Sequence, residues 1–281
     1  MGKLFITFKV FNFVTDFYIG TSGYSYEDWK NNFYPRDLDS KDYLYYYSRV
    51  FDTVELNFTY YSFPNPYTFF SLCKKVEENK KFIFSVKANS KFTHERNYDT
   101  DDSKQFIYAL KPLENADRLG SVLFQFPYSF RFSEDNLDYI KKIGNDFEGL
   151  DISIEFRNNS WMNDLVMEVL RGLNIGFVNV DEPGLKGLLL PSSICTTDMG
   201  YIRFHGRNSR SWWKSEQAYQ RYDYIYSQEE LAEWIPKAEE IADKTKKMFV
   251  YFNNHYKAKA AKSAQLFLDL LKNSNIFTSQ N

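Results

Sequence analysis

The sequence predicts a single α/β domain folded as a (β/α)8 barrel of the TIM type. Eight short apolar segments with strand character alternate along the chain with segments of helical periodicity. The chain has 281 residues, and a barrel of this kind fills roughly 250 residues as one domain. No low-complexity linker divides the chain and no repeat is visible in it, so a second domain is not predicted.

Runs of β-branched and aromatic residues mark the strands. The strands are predicted at 17–22, 51–57, 81–88, 121–127, 150–157, 175–181, 200–206 and 248–254. Helical patterns lie at 40–50, 66–79, 102–116, 133–144, 161–172, 227–246 and 257–273. Ser133 and Ser160 are predicted N-caps, and Ser227 forms a capping box with Glu230.

Two connections depart from the regular alternation. We expect the helix after strand six to be missing or degenerate, because 182–199 contains two prolines and no helical period. A long loop, 205–227, is predicted after strand seven.

Composition and charge exclude several classes of protein. Lys and Arg number 35 against 37 Asp and Glu, which argues against a basic surface for nucleic acid or membrane over the whole protein. Cys73 and Cys195 have neither metal-site nor disulfide spacing, so we predict a cytoplasmic protein. Residues 1–17 are rich in Phe but interrupted by polar side chains, and we interpret them as an N-terminal extension that spans no membrane. The barrel domain is predicted at 18–281.

Side chains alternate between the two faces of each strand, and this period predicts which of them face the barrel interior. The predicted inward side chains become polar at the carboxyl ends of the strands, where the active sites of such barrels lie. They are Glu55 and Asn57, Ser85 and Lys87, Gln125, Ser153 with Glu155 and Arg157, Asn179 and Asp181, Arg203 and His205, and Tyr251 and Asn253. A shift of one residue would leave these charges among the helices, at a high energetic cost.

The ionisable residues of this predicted mouth are the candidates for catalysis. Glu55 and Glu155 are the candidates for general base and general acid. Lys87 and His205 are candidates for proton transfer or charge stabilisation, and His205 would change the charge of the mouth near neutral pH. Asp181 completes the catalytic set.

A second group is predicted to bind substrate. The planar forks of Arg157 and Arg203 suit a carboxylate or a phosphate, so the substrate is predicted to be small, polar and anionic. The loop 20–29 after strand one supplies small residues and backbone amides to the same end of the barrel. The further substrate-binding candidates are Asn57, Gln125, Asn253, Ser22, Trp29 and Trp213.

Two other interpretations of the charged set stay open. In the first, the charges satisfy one another as a structural plug, which is disfavoured because hydrophobic packing usually stabilises a core as well or better. In the second, a divalent metal is bound by Glu55, Glu155, Asp181 and His205. The neighbouring cations oppose a metal and no H-x-H or H-E-x-x-H spacing is present. We therefore predict no cofactor.

The loop 205–227 alternates basic and aromatic side chains. It is interpreted as a platform on which nucleobases stack, as a lid that excludes water from the mouth, or as ordinary packing across the rim. Two histidines lie in neighbouring loops: His94 is predicted at the rim or in solvent, and His255 is predicted neutral, because a charged ring at a helix N-terminus opposes the helix dipole. The aromatic residues of the long loop are Trp212, Trp213, Tyr219, Tyr222, Tyr224 and Tyr226.

Several ordered segments resemble the YecE-like proteins, the family catalogued as domain of unknown function 72. The segments are YIGTSGYSYEDWKNNFYP (18–35), FDTVELNFTYY (51–61), FIFSVKANSKFTH (82–94), LGSVLFQFP (119–127), IEFRNNSW (154–161), YIRFHGRN (201–208) and VYFNNHYKAKAAKSA (250–264). The resemblance covers about residues 18–273 and implies a TIM-type barrel without an established reaction.

The same resemblance singles out individual positions. The positions that match the family's motifs are Gly20, Ser22, Gly23, Trp29, Glu55, Asn57, Lys87, His94, Gln125, Glu155, Arg157, Trp161, Asp181, Arg203, His205, Gly206, Asn253 and Asn254. Two positions depart from the family pattern: Tyr24 stands where the family often has Trp, and Phe58 stands where a small hydroxyl residue is common. Neither departure disturbs the charged set.

The sequence thus predicts a barrel enzyme that uses acid/base chemistry on a small polar, anionic substrate at the carboxyl ends of its strands. The predicted class is a cofactor-independent hydrolase, lyase or isomerase. The alternatives are a metal-dependent hydrolase or isomerase, and a non-catalytic binder of single-stranded nucleic acid or of a metabolite.

Overall fold

Eight parallel strands close into a barrel in chain order, as predicted. The computed structural model describes residues 15–215 and 217–274. The strands are β1 (Asp16–Ser22), β2 (Thr53–Leu56), β3 (Ile83–Lys87), β4 (Leu119–Gln125), β5 (Ile152–Glu155), β6 (Ile175–Asp181), β7 (Met199–Phe204) and β8 (Lys247–Phe252). The barrel closes between β1 and β8, where Asp16 to Thr21 pair with Lys247 to Phe252. The first strand therefore takes in the last two residues of the predicted extension, and residues 1–14 lie outside the described part.

Helices cover the outside of the barrel. They are α1 (Tyr43–Tyr47), α2 (Pro66–Lys75), α3 (Thr100–Asn115), α4 (Glu134–Asp146), α5 (Asp164–Gly172), α6 (Ala218–Arg221), α7 (Gln228–Ala232), α8 (Ile235–Ala242) and α9 (Lys259–Lys272). Short 3-10 helices lie at Glu27–Trp29, Ser40–Asp42, Phe58–Tyr60, Asn159–Trp161 and Tyr256–Ala258, and a π-helical turn lies at Lys91–Glu95. Among the described residues, no helix has the length and apolar character needed to cross a bilayer.

The capping residues fix where the helices begin. The Ser133 hydroxyl accepts from the backbone N–H of Asn136, and Ser227 and Glu230 form the predicted capping box. The prediction for Ser160 was wrong, because α5 begins later and its N-cap is Asn163, whose side chain accepts from the N–H of Val166. The hydroxyl of Ser160 instead accepts from the backbone N–H of Phe132.

The connection after β6 has no helix between Asp181 and Met199, which confirms the predicted gap. This irregular segment packs against the barrel with polar contacts in place of an apolar helix face. The side chain of Asn179 donates to the carbonyl of Ile194 and accepts from the hydroxyl of Ser192. Asn179 therefore faces outward.

Strand β6 consequently has the opposite register to the predicted one. A Cβ added at Gly176 would lie 2.7 Å from Ser153 Oγ inside the barrel, and the inward positions that follow are Val178, Val180 and Glu182. The prediction that Asn179 and Asp181 face the interior was wrong. It assumed an apolar outer cover, whereas the irregular segment and the loop after β7 provide polar partners on that side.

The carboxylate of Asp181 lies on the outer side of the barrel wall, in a cluster of hydrogen bonds separate from the barrel interior. It accepts from Tyr226 Oη at 2.6 Å, from the indole N–H of Trp234 at 2.7 Å and from Arg207 Nη2 at 2.7 Å. These contacts tie β6 to the loop after β7 and to the start of α8. Asp181 is a structural residue here and does not reach the mouth of the barrel.

Aromatic rings fill much of the barrel interior below its carboxyl end. Phe249 stacks on Tyr18 with 5.2 Å between ring centroids, and Tyr201 lies 5.4 Å from Tyr251. The Tyr251 hydroxyl lies 2.6 Å from Thr53 Oγ1 and 2.9 Å from Ser85 Oγ, so its polar tip is satisfied. This layer of rings closes the barrel below its carboxyl end.

Replacing Asp181 by Ala is expected to lower the free energy of unfolding by about 3 kcal/mol, because it leaves Arg207 and two buried N–H and O–H donors without their acceptor. Urea unfolding followed by fluorescence measures this. The matched control is Asp198→Ala, which removes an exposed ion pair with Lys246 and is expected to cost less than about 1 kcal/mol. Equal losses in the two variants would contradict the structural role of Asp181.

Candidate functional site

A cavity of about 740 Å³ opens at the carboxyl ends of the strands. The segments that follow all eight strands contribute to its wall, as is usual for the functional face of such a barrel. The wall residues are Gly23, Tyr24, Ser25, Tyr26, Leu56, Asn57, Phe58, Tyr60, Tyr61, Lys87, His94, Gln125, Pro127, Tyr128, Arg157, Leu188, Arg203, Trp212, Trp213, Arg221, Tyr222, Asn253 and His255.

The charges that the described residues place on this wall are all positive. Among the described residues, four cationic side chains line the cavity and no Asp or Glu does. The four are Lys87, Arg157, Arg203 and Arg221.

The carboxylates lie beneath the arginines. Arg203 donates from Nη2 to Glu55 Oε1 at 2.7 Å and from Nη1 to Glu155. Glu55 and Glu155 are fully buried, and the second oxygen of Glu55 accepts from the Tyr201 hydroxyl at 2.8 Å. The sequence predicts that these charges converge, and the structure confirms it. It also places both carboxylates behind the wall.

Arg157 is held in the same way by two carboxylates. Its Nε donates to Glu155, and its Nη1 lies 3.1 Å from Glu182 Oε2. Glu182 is buried, and its other oxygen accepts from the backbone N–H of Leu189 at 3.1 Å. Glu155 therefore bridges two guanidinium groups.

Glu182 is the acidic residue that sequence reasoning missed. Glu182 directly follows Asp181 in the chain. Because the predicted register of β6 was wrong by one residue, Asp181 was assigned the inward position that Glu182 occupies. If Gly176, Val178 and Val180 are taken as the inward-facing residues of β6, the next inward position is Glu182. This shifted alternation could have identified Glu182 from the sequence.

The two buried carboxyl groups next to Arg157 differ in their pKa. Burial alone would raise the pKa of Glu155, but the charges of Arg157 and Arg203 outweigh burial and hold this pKa well below its usual value. Burial raises the pKa of Glu182 to about 7. Glu155 therefore stays ionised at neutral pH, and Glu182 titrates there.

His205 is neutral in this environment. Its Nδ1 lies 3.3 Å from Arg157 Nη2 and 3.1 Å from Asn253 Nδ2, which both donate, so the ring proton is on Nε2. Nε2 faces Glu155 Oε1 at 3.2 Å. Burial and the charge of Arg157 lower the pKa of His205 to about 3. The expectation that His205 changes the charge of the mouth near neutral pH was therefore wrong.

Lys87 is the titratable cation of the wall. Its Nζ donates to Gln125 Oε1 at 2.9 Å and lies 4.5 Å from the ring centroid of Tyr60. Among the residues that the structure describes, none forms an ion pair with Lys87. Burial and the charge of Arg203 lower its pKa to about 8.

Most of the predicted substrate-binding residues lie on the wall. Asn57, Gln125 and Asn253 are there, and Trp213 is half exposed at the rim, 4.7 Å from Tyr128 between ring centroids. Ser22 lies below the wall, where its hydroxyl accepts from Arg203 at 3.3 Å.

Trp29 does not reach the cavity. Its ring is fully buried, and its indole N–H donates to the backbone carbonyl of His255 at 2.7 Å. Trp29 thus anchors the loop after β1 beneath Tyr26 and His255, which do line the cavity. The prediction of substrate contact was wrong, because the large apolar ring is buried in the interior in preference to the mouth.

The remaining wall residues are mostly aromatic, and several of them were not predicted to line the cavity. Trp212, in the long loop, has two guanidinium groups near its ring, that of Arg157 at 5.8 Å and that of Arg221 at 5.7 Å from the ring centroid. The missed rings all directly follow β1, β2 or β4, which is the signal that could have identified them. They are Tyr24, Tyr26, Phe58, Tyr60, Tyr61 and Tyr128.

The four residues considered for a metal do not form a common set of ligands, although His205 lies close to Glu155. Glu55 and Glu155 accept from guanidinium groups, and Asp181 faces the other side of β6. Within residues 15–215 and 217–274, no group of three or more His, Cys, Asp or Glu side chains is arranged to hold a metal ion.

Fold and site together define a (β/α)8 barrel with a cationic, aromatic-walled cavity at the carboxyl ends of its strands. The chain belongs to the family described as Protein of unknown function DUF72, whose family model matches residues 18–280. The resemblance found in the sequence is thereby confirmed.

Relatives of known sequence and structure agree with this. The UPF0759 protein YunF of Bacillus subtilis (strain 168) is 32% identical over 270 residues, which cover 90% of this chain and 94% of that protein. The crystal structure of a DUF72 family protein from Thermotoga maritima MSB8 is similar with a TM-score of 0.84 and 40% identity, over 92% of this chain and 99% of that one. One from Enterococcus faecalis V583 has a TM-score of 0.81 and 26% identity, over 92% and 96% of the two chains.

Replacing Glu155 by Gln is expected to lower the free energy of unfolding by about 3 kcal/mol, because Arg157 and Arg203 then share two carboxylates where they had three. Thermal and urea unfolding at pH 7 measure this loss. Glu78→Gln is the control, since Glu78 pairs with Arg49 at an exposed site and its loss is expected to cost less than about 1 kcal/mol. A Glu155→Gln protein as stable as the control would contradict the described ion-pair network.

Proposed function

We propose that this protein is an enzyme that binds a small anionic substrate in the cavity and acts on it by proton transfer. One observation carries the proposal: the cavity wall presents four cations, and the carboxylates that pair with two of them, Arg157 and Arg203, are buried behind the wall. An anion entering the cavity meets N–H donors and no competing negative side chain of the described residues. Such charge-assisted contacts are about twice as strong as neutral hydrogen bonds.

Arg157 and Arg203 form the fixed part of the anion site. Each guanidinium group is held by two carboxylates, so little side-chain entropy is lost when a ligand binds. The Nε of Arg203 is buried and has no acceptor among the described residues.

In this proposal Glu55 and Glu155 act through the arginines and are positioning residues. They do not contact the substrate, because the guanidinium groups lie between them and the cavity. Their carboxylates keep both forks in a fixed orientation.

Lys87 is the proton-transfer group of the proposal. A pKa of about 8 lets it act as an acid when protonated and as a base when neutral within the physiological range. The histidines of the site are less suited to this role. Burial and the charge of Lys87 lower the pKa of His94 to about 4, and the pKa of His205 is lower still.

The aromatic walls bind the uncharged part of the substrate and exclude water. Rings from the loops after β1, β2 and β4 face the rings of the long loop after β7 across the cavity. Exclusion of water strengthens the contacts between the cations and the anion. The proposed reaction needs proton transfer alone, as in an isomerase, a lyase or a hydrolase.

Inorganic sulfate tests the anion site, because its charge is constant between pH 7 and 9. Isothermal titration calorimetry is expected to show sulfate binding that weakens as the pH rises through about 8, where Lys87 loses its proton and its charge. Lys87→Met is expected to weaken binding at pH 7 roughly tenfold, since one charge-assisted contact is lost. It is also expected to remove the fall in affinity near pH 8, leaving only the change near pH 7, where Glu182 behind Arg157 loses its proton.

Arg221→Gln, which removes another wall cation, is expected to weaken sulfate binding to a similar extent. The matched control is Arg49→Gln, since Arg49 lies on the outer surface in an exposed ion pair. The Arg49→Gln protein is expected to bind sulfate with the affinity of the wild type. No measurable binding, or equal affinities in all four proteins, would refute the proposed function.

A further inference from the structure

The amine of Lys87 has an unusual set of neighbours. Among the described residues, its one polar partner at hydrogen-bond distance is the neutral amide oxygen of Gln125, and Tyr60 covers it from one side. The amide of Gln125 is fixed in turn, because its Nε2 donates to the carbonyl of Phe126 at 2.8 Å. The orientation of Gln125 therefore keeps an acceptor on Lys87 and leaves the rest of the amine facing the cavity.

The charged groups around Lys87 come from several strands. Arg203 and Arg157 are the cations that disfavour its protonated form, and the buried Glu55 and Glu155 partly compensate. His94, from the turn after β3, lies with its ring edge-on to Tyr60 at 5.1 Å and stays neutral. Two permanent cations beside a lysine that contacts no carboxylate of the described part of the chain favour a neutral amine.

Anion binding by itself does not explain why the residue at position 87 is a lysine. Arg157, Arg203 and Arg221 already supply permanent positive charge to the wall. A fourth guanidinium would bind an anion better, because it remains charged and offers five donors. A primary amine offers a neutral, nucleophilic form, which a guanidinium does not have.

We propose that Lys87 is a nucleophile that forms an imine with the carbonyl group of an anionic substrate, whose negative group the arginines hold. This inference rests on the proposed anion site and names the substrate class for it, an anion that carries an aldehyde or ketone. The aromatic walls and the volume of about 740 Å³ admit a substrate with a ring.

The chemistry balances without an oxidant or a reductant. The lysine ammonium releases one proton, the neutral nitrogen adds to the carbonyl carbon, and a carbinolamine forms. Loss of its oxygen as water takes up a proton and leaves a protonated imine. Ammonium and carbonyl thus give iminium and water, and the positive charge adjacent to the substrate carbon favours proton removal from the neighbouring position.

Borohydride trapping tests the inference, with pyridoxal 5′-phosphate as a probe that combines a ring, an aldehyde and an anion. The full-length protein is mixed with a substoichiometric amount of probe at pH 7, reduced with sodium borohydride, digested and mapped by mass spectrometry. Lys87 is expected to be modified at least roughly tenfold faster than the exposed Lys104, because burial and the neighbouring cations favour the neutral, nucleophilic form of Lys87. Pyridoxal, which lacks the phosphate, is expected to react more slowly at Lys87.

Two variants and one competitor separate the possible results. Lys87→Arg is expected to lose the fast adduct, Lys104→Arg is expected to keep it, and sulfate is expected to slow it. Modification spread over surface lysines and unchanged in Lys87→Arg would overturn the inference. If Lys87 remains unmodified although sulfate binds, the imine is refuted and the anion site stands. If sulfate neither binds nor protects, the proposed function fails as well.

Discussion

Two guanidinium groups held between three buried carboxylates are the constraint on which the upper half of the barrel depends. Glu155 joins Arg203 to Arg157, while Glu55 and Glu182 bind the outer ends of the pair. Burying five charges is a poor way to stabilise a core, because apolar residues of similar size usually do as well. The arrangement is better explained by its effect on the cavity. The carboxylates hold the two guanidinium groups in a fixed orientation towards the cavity while they themselves lie behind the wall.

The lower half of the barrel supports this layer. The hydroxyl of Tyr201 donates to Glu55, and the ring of Tyr201 packs near Tyr251, whose own hydroxyl contacts Thr53 and Ser85. Rings and hydroxyl groups thus close the barrel beneath the carboxylates and keep them dry. A low dielectric strengthens these ion pairs and makes them more costly to break. The network therefore keeps a single geometry.

Much of this could be predicted from the sequence, because alternation along a strand determines the direction of each side chain. On β2, β5 and β7 it correctly predicts that Glu55, Glu155 and Arg203 converge. It fails on β6, where an irregular segment replaces the helix and accepts polar side chains on the outer face. The pKa of His205 and the burial of Trp29 depend on neighbours from distant parts of the chain, which periodicity does not reveal.

The proposed function requires the cavity wall to bind an anion, and anomalous scattering shows where an anion binds. A crystal of the protein soaked in selenate, which has the charge and shape of sulfate, would be measured at the selenium edge. A selenium peak is expected inside the cavity, with selenate oxygens within hydrogen-bond distance of Arg157, Arg203 or Lys87. Selenate bound elsewhere on the protein, with no peak in the cavity at the same concentration, would contradict it.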